Sequence, residues 1–209
     1  MVRRSRSAIV LLSGVFCLAA LADSAVASPR PLPLIARLIE RGDLPGFGPG
    51  AAIPFKTAKA WVDANTALTP VQASAQEARL RREGFKGLLS EYLGLGQSLR
   101  AGISWVMQLG SPAAARAELA AGLRGFKAQY VAAGGSFSAY SVGAIPGARG
   151  FRVAGNGQVG ENVYFADGPF LYLVGEGWST AVKKPPTRAD LIAAVEKLYE
   201  RVHGHPASS

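Results

Sequence analysis

Apolar residues recur with two different periods along this chain, and the alternation between the periods predicts its elements. Leu191, Val195, Leu198 and Val202 share one helical face beside Ile192 and Tyr199, with Thr187 and Asp190 placed to cap the start and Gly204 and Pro206 to end it. A second helix opens at Ser111-Pro112 with a buried stripe of Leu119, Leu123, Phe126 and Tyr130, which leaves Arg116, Glu118, Arg124 and Lys127 for water. Thr69-Pro70 starts a third over 70–83, stopped by Gly84, whose exposed end is Arg79, Arg81, Arg82 and Glu83. Between the helices the period falls to two. Ile103, Trp105, Met107 and Leu109 alternate with Ser104, Val106 and Gln108, the pattern of a half-buried strand over 102–109, and a companion strand covers 85–93. Further strands are expected at 138–144, 150–153, 162–166 and 170–174. Asp167-Gly168 between the last two signals a hairpin, with a wider or distorted turn because Pro169 has no N–H to give.

Residues 28–60 are rich in Pro and Gly and read as an arm. Its one helical candidate, 34–41, ends at Gly42 and should pack on the body through Leu38 and Ile39. Helices that do not alternate with single strands predict an α+β fold: an antiparallel sheet covered by helices, one domain over 61–204, with the N-terminal arm before it and a disordered tail at 205–209.

The first residues follow neither pattern. Arg3, Arg4 and Arg6 precede an apolar run over 8–22, and the triplet Ala25-Val26-Ala27 follows, which is the layout of a secretory signal peptide over 1–27 cleaved between Ala27 and Ser28; Ala20-Leu21-Ala22 offers a second site. A membrane span needs about 20 apolar residues, and Asp23 interrupts this run too soon. The chain of 209 residues holds a single cysteine, Cys17, inside that segment, so the mature protein is expected to be cysteine-free and held together by its core. A hydrophobic content of 49% excludes a disordered chain. The expected location is secreted or extracytoplasmic, in the cell envelope.

Candidate chemistry is sparse. The only two histidines, His203 and His205, fall at the end of the last helix, where a rigid catalytic or zinc site is hard to hold, and no metal, cofactor or catalytic residue is assigned. Gly155-Asn156-Gly157-Gln158-Val159-Gly160 has the form G-x-G-x-x-G but leads into a strand, whereas a dinucleotide site requires a helix there. Glu91, Glu161, Asp167 and Glu176 lie on or beside strands, and two of them converging in a cleft would make a carboxylate-based hydrolase. The net charge of +9 is scattered over helices without interleaved aromatics, which points away from nucleic acid and toward weak attraction to anionic envelope polymers.

At Leu44-Pro45-Gly46-Phe47, Gly84-Phe85, Ile145-Pro146-Gly147-Ala148 and Val163-Tyr164-Phe165-Ala166-Asp167-Gly168, followed by the last helix, the chain resembles small exported proteins and lipoproteins of high-GC Gram-positive bacteria, some of them similar to the extracellular sensor domains of actinobacterial protein kinases. The resemblance implies an α+β domain that binds a ligand in a sheet cleft. The chain departs from the lipoproteins at Phe16-Cys17, where a small residue should precede a lipidated cysteine, and it lacks a cysteine pair; both weigh against a tether and a sensor role. The leading expectation is therefore an exported, non-enzymatic domain binding a small apolar ligand or an envelope component. Tyr164, Tyr172 and Trp178 are its first contact candidates, because their rings combine apolar area with a polar handle. A carboxylate hydrolase and a structural envelope protein are the alternatives.

Overall fold

The computed structural model describes residues 31–48, 50–65, 68–94 and 99–205; the signal peptide and cleavage site expected over 1–28 lie outside them, as does the expected tail beyond His205. Seven strands form one antiparallel sheet with helices on both faces, the expected α+β class. In chain order the elements are β1 (Ala52–Phe55), α1 (Ala58–Asp63), α2 (Pro70–Arg82), β2 (Gly87–Leu93), β3 (Arg100–Gln108), α3 (Pro112–Ala132), β4 (Ser136–Ser141), β5 (Arg149–Gly155), β6 (Gln158–Asp167), β7 (Phe170–Ser179) and α4 (Arg188–Val202).

The sheet order β1-β2-β3-β7-β6-β5-β4 is two meanders joined back to back. The first runs outward-in through β1, β2 and β3. Helix α3 then carries the chain to the far edge, and β4 to β7 run back until β7 pairs with β3 along nine residues, Arg100 opposite Trp178 through Gln108 opposite Phe170. Period-two alternation therefore meets cover on both faces, and β3 is not half-buried as expected. Trp105 and Met107 pack under α1, α2 and α3, while Ser104 and Val106 are buried under α4 and the N-terminal segment. A strand in the middle of a three-layer structure has no solvent side, so polar Ser104 is retained only because its Oγ accepts the Ile39 N–H at 3.1 Å.

The segment expected as an arm is woven into the body. It supplies β1, an edge strand where Pro54 costs the sheet nothing, and a 3-10 turn, Leu34–Arg37, in place of the helix expected over 34–41. Leu38 continues in extended backbone because that path buries both Leu38 and Ile39 against the sheet and turns Arg37 inward. Arg201 of α4 fastens the same stretch, donating to the carbonyls of Leu38 (2.6 Å) and Ala36 (3.4 Å).

One further expectation changes in part. In the β6–β7 hairpin Asp167 pairs directly with Phe170, so the loop is two residues and the wider of the two expected turns does not form. Gly168 at φ +55 takes the first loop position, and Pro169 is tolerated at the second because the ladder there draws on Phe170 N–H, not on the loop's own. The glycine-rich G-x-G-x-x-G segment is, as expected, a strand connection, the Asn156-Gly157 turn between β5 and β6. Helix α4 forms as read: Thr187 Oγ1 accepts the Asp190 N–H and donates to its carboxylate, and Leu191, Val195, Leu198 and Val202 are buried. No helix among the described residues is long and apolar enough to cross a membrane.

Candidate functional site

The face under α2 and α3 holds a cavity of about 820 Å³. Its floor is aromatic. Trp105 from β3 meets the Tyr164 ring from β6 edge-on at 5.4 Å, and Trp61 from α1 closes the row 6.0 Å from Trp105. Tyr164 is buried and fully part of this floor.

The two walls differ because their helices do. Helix α2 presents Gln72, Gln76 and Arg79, a ladder of polar groups three to four residues apart, while Leu80, one turn beyond Gln76, packs on the sheet. Helix α3 presents small residues, Ala121, Gly122, Gly125 and Ala128, and anchors to the sheet through Phe126, stacked on Phe151 at 5.3 Å. At Gly122 a Cβ would stand 2.8 Å from Tyr164 Cε1, so glycine lets the helix backbone lie against the ring. At Gly125 a Cβ would meet nothing within 4 Å. The open space of the cavity is in this sense written into α3: two glycines three apart inside a helix cost about 1 kcal/mol each relative to alanine, a cost that calls for a reason.

The cavity's polar end overturns two expectations. Glu118, expected in water, is buried, and Arg79, expected at an exposed helix end, reaches it with two parallel hydrogen bonds, Nε to Oε2 at 2.7 Å and Nη2 to Oε1 at 3.0 Å. A buried carboxylate requires such a partner, and the bidentate guanidinium supplies it. Beside them Glu83 has a buried Oε2 without a hydrogen bond; burial first, and then the charge of Glu118, push its carboxyl up to about 7. Burial likewise holds Tyr164 well above the usual phenol range, so it remains a neutral hydroxyl. In α3 the expected stripe is also partly displaced: Tyr130, at 37% exposure, faces solvent.

Tyr172 and Trp178 do not join Tyr164. They point to the opposite face of β7, under α4, where the Tyr172 hydroxyl accepts from Arg37 Nη1 at 2.9 Å and Trp178 lies under the Arg152 guanidinium, 5.9 Å from its ring centre. The acids gather on that same face. Glu161 and Glu176 are cross-strand partners, both buried, with Glu161 held by Arg152 (2.9 Å) and Arg188 (3.2 Å). Glu91 is placed along the sheet, its Oε1 accepting the Gly50 N–H at 2.8 Å. Glu161 and Glu176 thus meet on the face of the sheet opposite the 820 Å³ cavity, with Glu91 two strands away. His203 is not loose: its Nδ1 is 2.9 Å from Asp167 Oδ1 and its ring stacks on Tyr199 at 4.7 Å. The His205 carbonyl accepts from Arg37 at 2.7 Å. Among the described residues no group of three or more His, Cys, Asp or Glu could hold a metal ion.

Burial raises the Glu176 carboxyl to about 7, and its Oε1 is buried without a hydrogen bond. Because the folded state binds this proton more tightly than the unfolded chain, with its ordinary value of 4.5, stability falls as pH rises from about 4.5 to 7. Glu176→Gln keeps the shape without the ionisation. Urea midpoints of the variant and the parent should separate progressively in the variant's favour above pH 5; parallel curves up to pH 8 would refute this origin.

No family model and no curated protein matches the chain. Among solved structures it is similar to the extracellular domain of PknH from Mycobacterium tuberculosis, at 12% identity over 74% of this chain and 85% of that one, with a TM-score of 0.46.

Proposed function

We propose that this chain is an exported, non-enzymatic binding domain that takes a small, largely apolar molecule into the cavity between α2 and α3. The observation that carries the reading is the combination of about 820 Å³ of space with a floor of Trp61, Trp105 and Tyr164 and a polar wall of Gln72, Gln76 and Arg79 that ends at Glu118. Ligand sites are concave, mostly apolar and fixed in orientation by a few polar groups, and this arrangement has each of these traits. The signal-peptide layout of 1–27 supports the location, and the position of Glu161 and Glu176 behind the sheet favours binding over a carboxylate hydrolase, whose acids would have to meet in the cleft.

Titration with Nile red, an uncharged apolar dye, tests the reading. Saturable one-to-one dye enhancement, mirrored by quenching of the tryptophans in the floor, is the expected result. A linear, non-saturating response would overturn it.

A further inference from the structure

The polar end of the cavity also defines what kind of head group the ligand carries. This step rests on the binding reading above. Arg79 spends its charge on Glu118 through two hydrogen bonds, so the one cation lining the cavity among the described residues is already compensated. A guanidinium has five N–H groups, and this ion pair uses Nε and one hydrogen of Nη2; the others, on a side chain 31% exposed along the cavity wall, are donors available to a ligand. Tyr164, whose ring and hydroxyl lie against Gly122 in the cavity wall, is a further neutral donor group. What these groups ask for is an acceptor without charge.

We infer that the ligand of this cavity is an electrically neutral amphiphile: an apolar chain or ring on the Trp61–Trp105–Tyr164 floor, ending in a carbonyl, ester or ether oxygen that accepts from Arg79. An amine head would face the guanidinium. A carboxylate head would become the third acid in a cluster already containing Glu118 and Glu83. Burial first, and then the charge of Glu118, already push the Glu83 carboxyl up to about 7, although Arg79 and Arg82 both favour its charge. The charged and titratable groups around this end are Arg79, Arg82 and Glu83 from α2 and its cap, Glu118 from α3 and Tyr164 from β6.

The test is displacement of Nile red by three molecules of matched chain: methyl dodecanoate, dodecanoate and dodecylamine, at pH 8. Methyl dodecanoate is expected to displace the dye at concentrations at least tenfold lower than either charged analogue. Glu83→Gln, which removes one ionisable acid, should narrow the gap between ester and dodecanoate at pH 8 and leave the ester unchanged. Equal or tighter binding of dodecanoate or dodecylamine, or displacement by none of the three while the dye still binds, would overturn the neutral head group and leave the cavity reading standing. Failure of the dye itself to bind would remove both.

Discussion

Arg37→Met should destabilise the domain by about 3–5 kcal/mol, because three buried or half-buried acceptors would lose their donor at once. The guanidinium is completely buried, lies 3.8 Å over the Phe170 ring, and donates to the Tyr172 hydroxyl, the Leu32 carbonyl (3.2 Å) and the His205 carbonyl (2.7 Å). Methionine fills a similar volume, so the loss reports the hydrogen bonds and the ring contact more than a void. Tyr172→Phe removes one of these bonds and should cost about 1 kcal/mol. Urea unfolding with both variants checks the pair. A loss below about 1 kcal/mol for Arg37→Met would show that the terminal segments do not depend on this residue.

The largest functional effect should come from Gly125→Phe. A Cβ at this position enters open space, so the ring extends into the cavity without displacing a neighbour. Nile red affinity should fall at least tenfold, while stability holds or rises, since replacing a mid-helix glycine gains roughly 0.5–1 kcal/mol in helix propensity. Gly125→Ala separates the two effects: it should show the gain in stability and retain the dye. Unchanged dye binding in Gly125→Phe, with the helix intact by circular dichroism, would place the ligand elsewhere.

The sequence made the scaffold legible wherever one residue reports one physical preference. Thr69-Pro70, Ser111-Pro112 and Thr187 mark helix starts because each cap answers a local need for backbone acceptors, and all three serve as such. The short helix expected over 34–41 was illegible for the opposite reason. Leu34, Ile35, Leu38 and Ile39 satisfy a helical period, but tertiary burial of Leu38 and Ile39 in an extended path outweighs that local signal. The site was hidden more deeply. Nothing in the spacing of Arg79 and Glu118, 39 residues apart, pairs them; each reads as an exposed helical charge until the packing of α2 beside α3 joins them. Tyr164, Tyr172 and Trp178 share a chemistry but not a face, because strand alternation and register decide the face, and the register was not available from one chain. The glycines of α3 were the one visible clue to empty space.

The back-to-back meanders carry a consequence for the timing of assembly. The seam at the middle of the sheet joins residues 100–108 to 170–178, and α4 then covers it from residues 188–202. A nascent or half-translocated chain ending before Phe170 would hold β3 and β6 each with one neighbour absent, two open edges that no later element has yet closed. Such a molecule stays unfinished until β7 has emerged to close the seam and α4 to cover it.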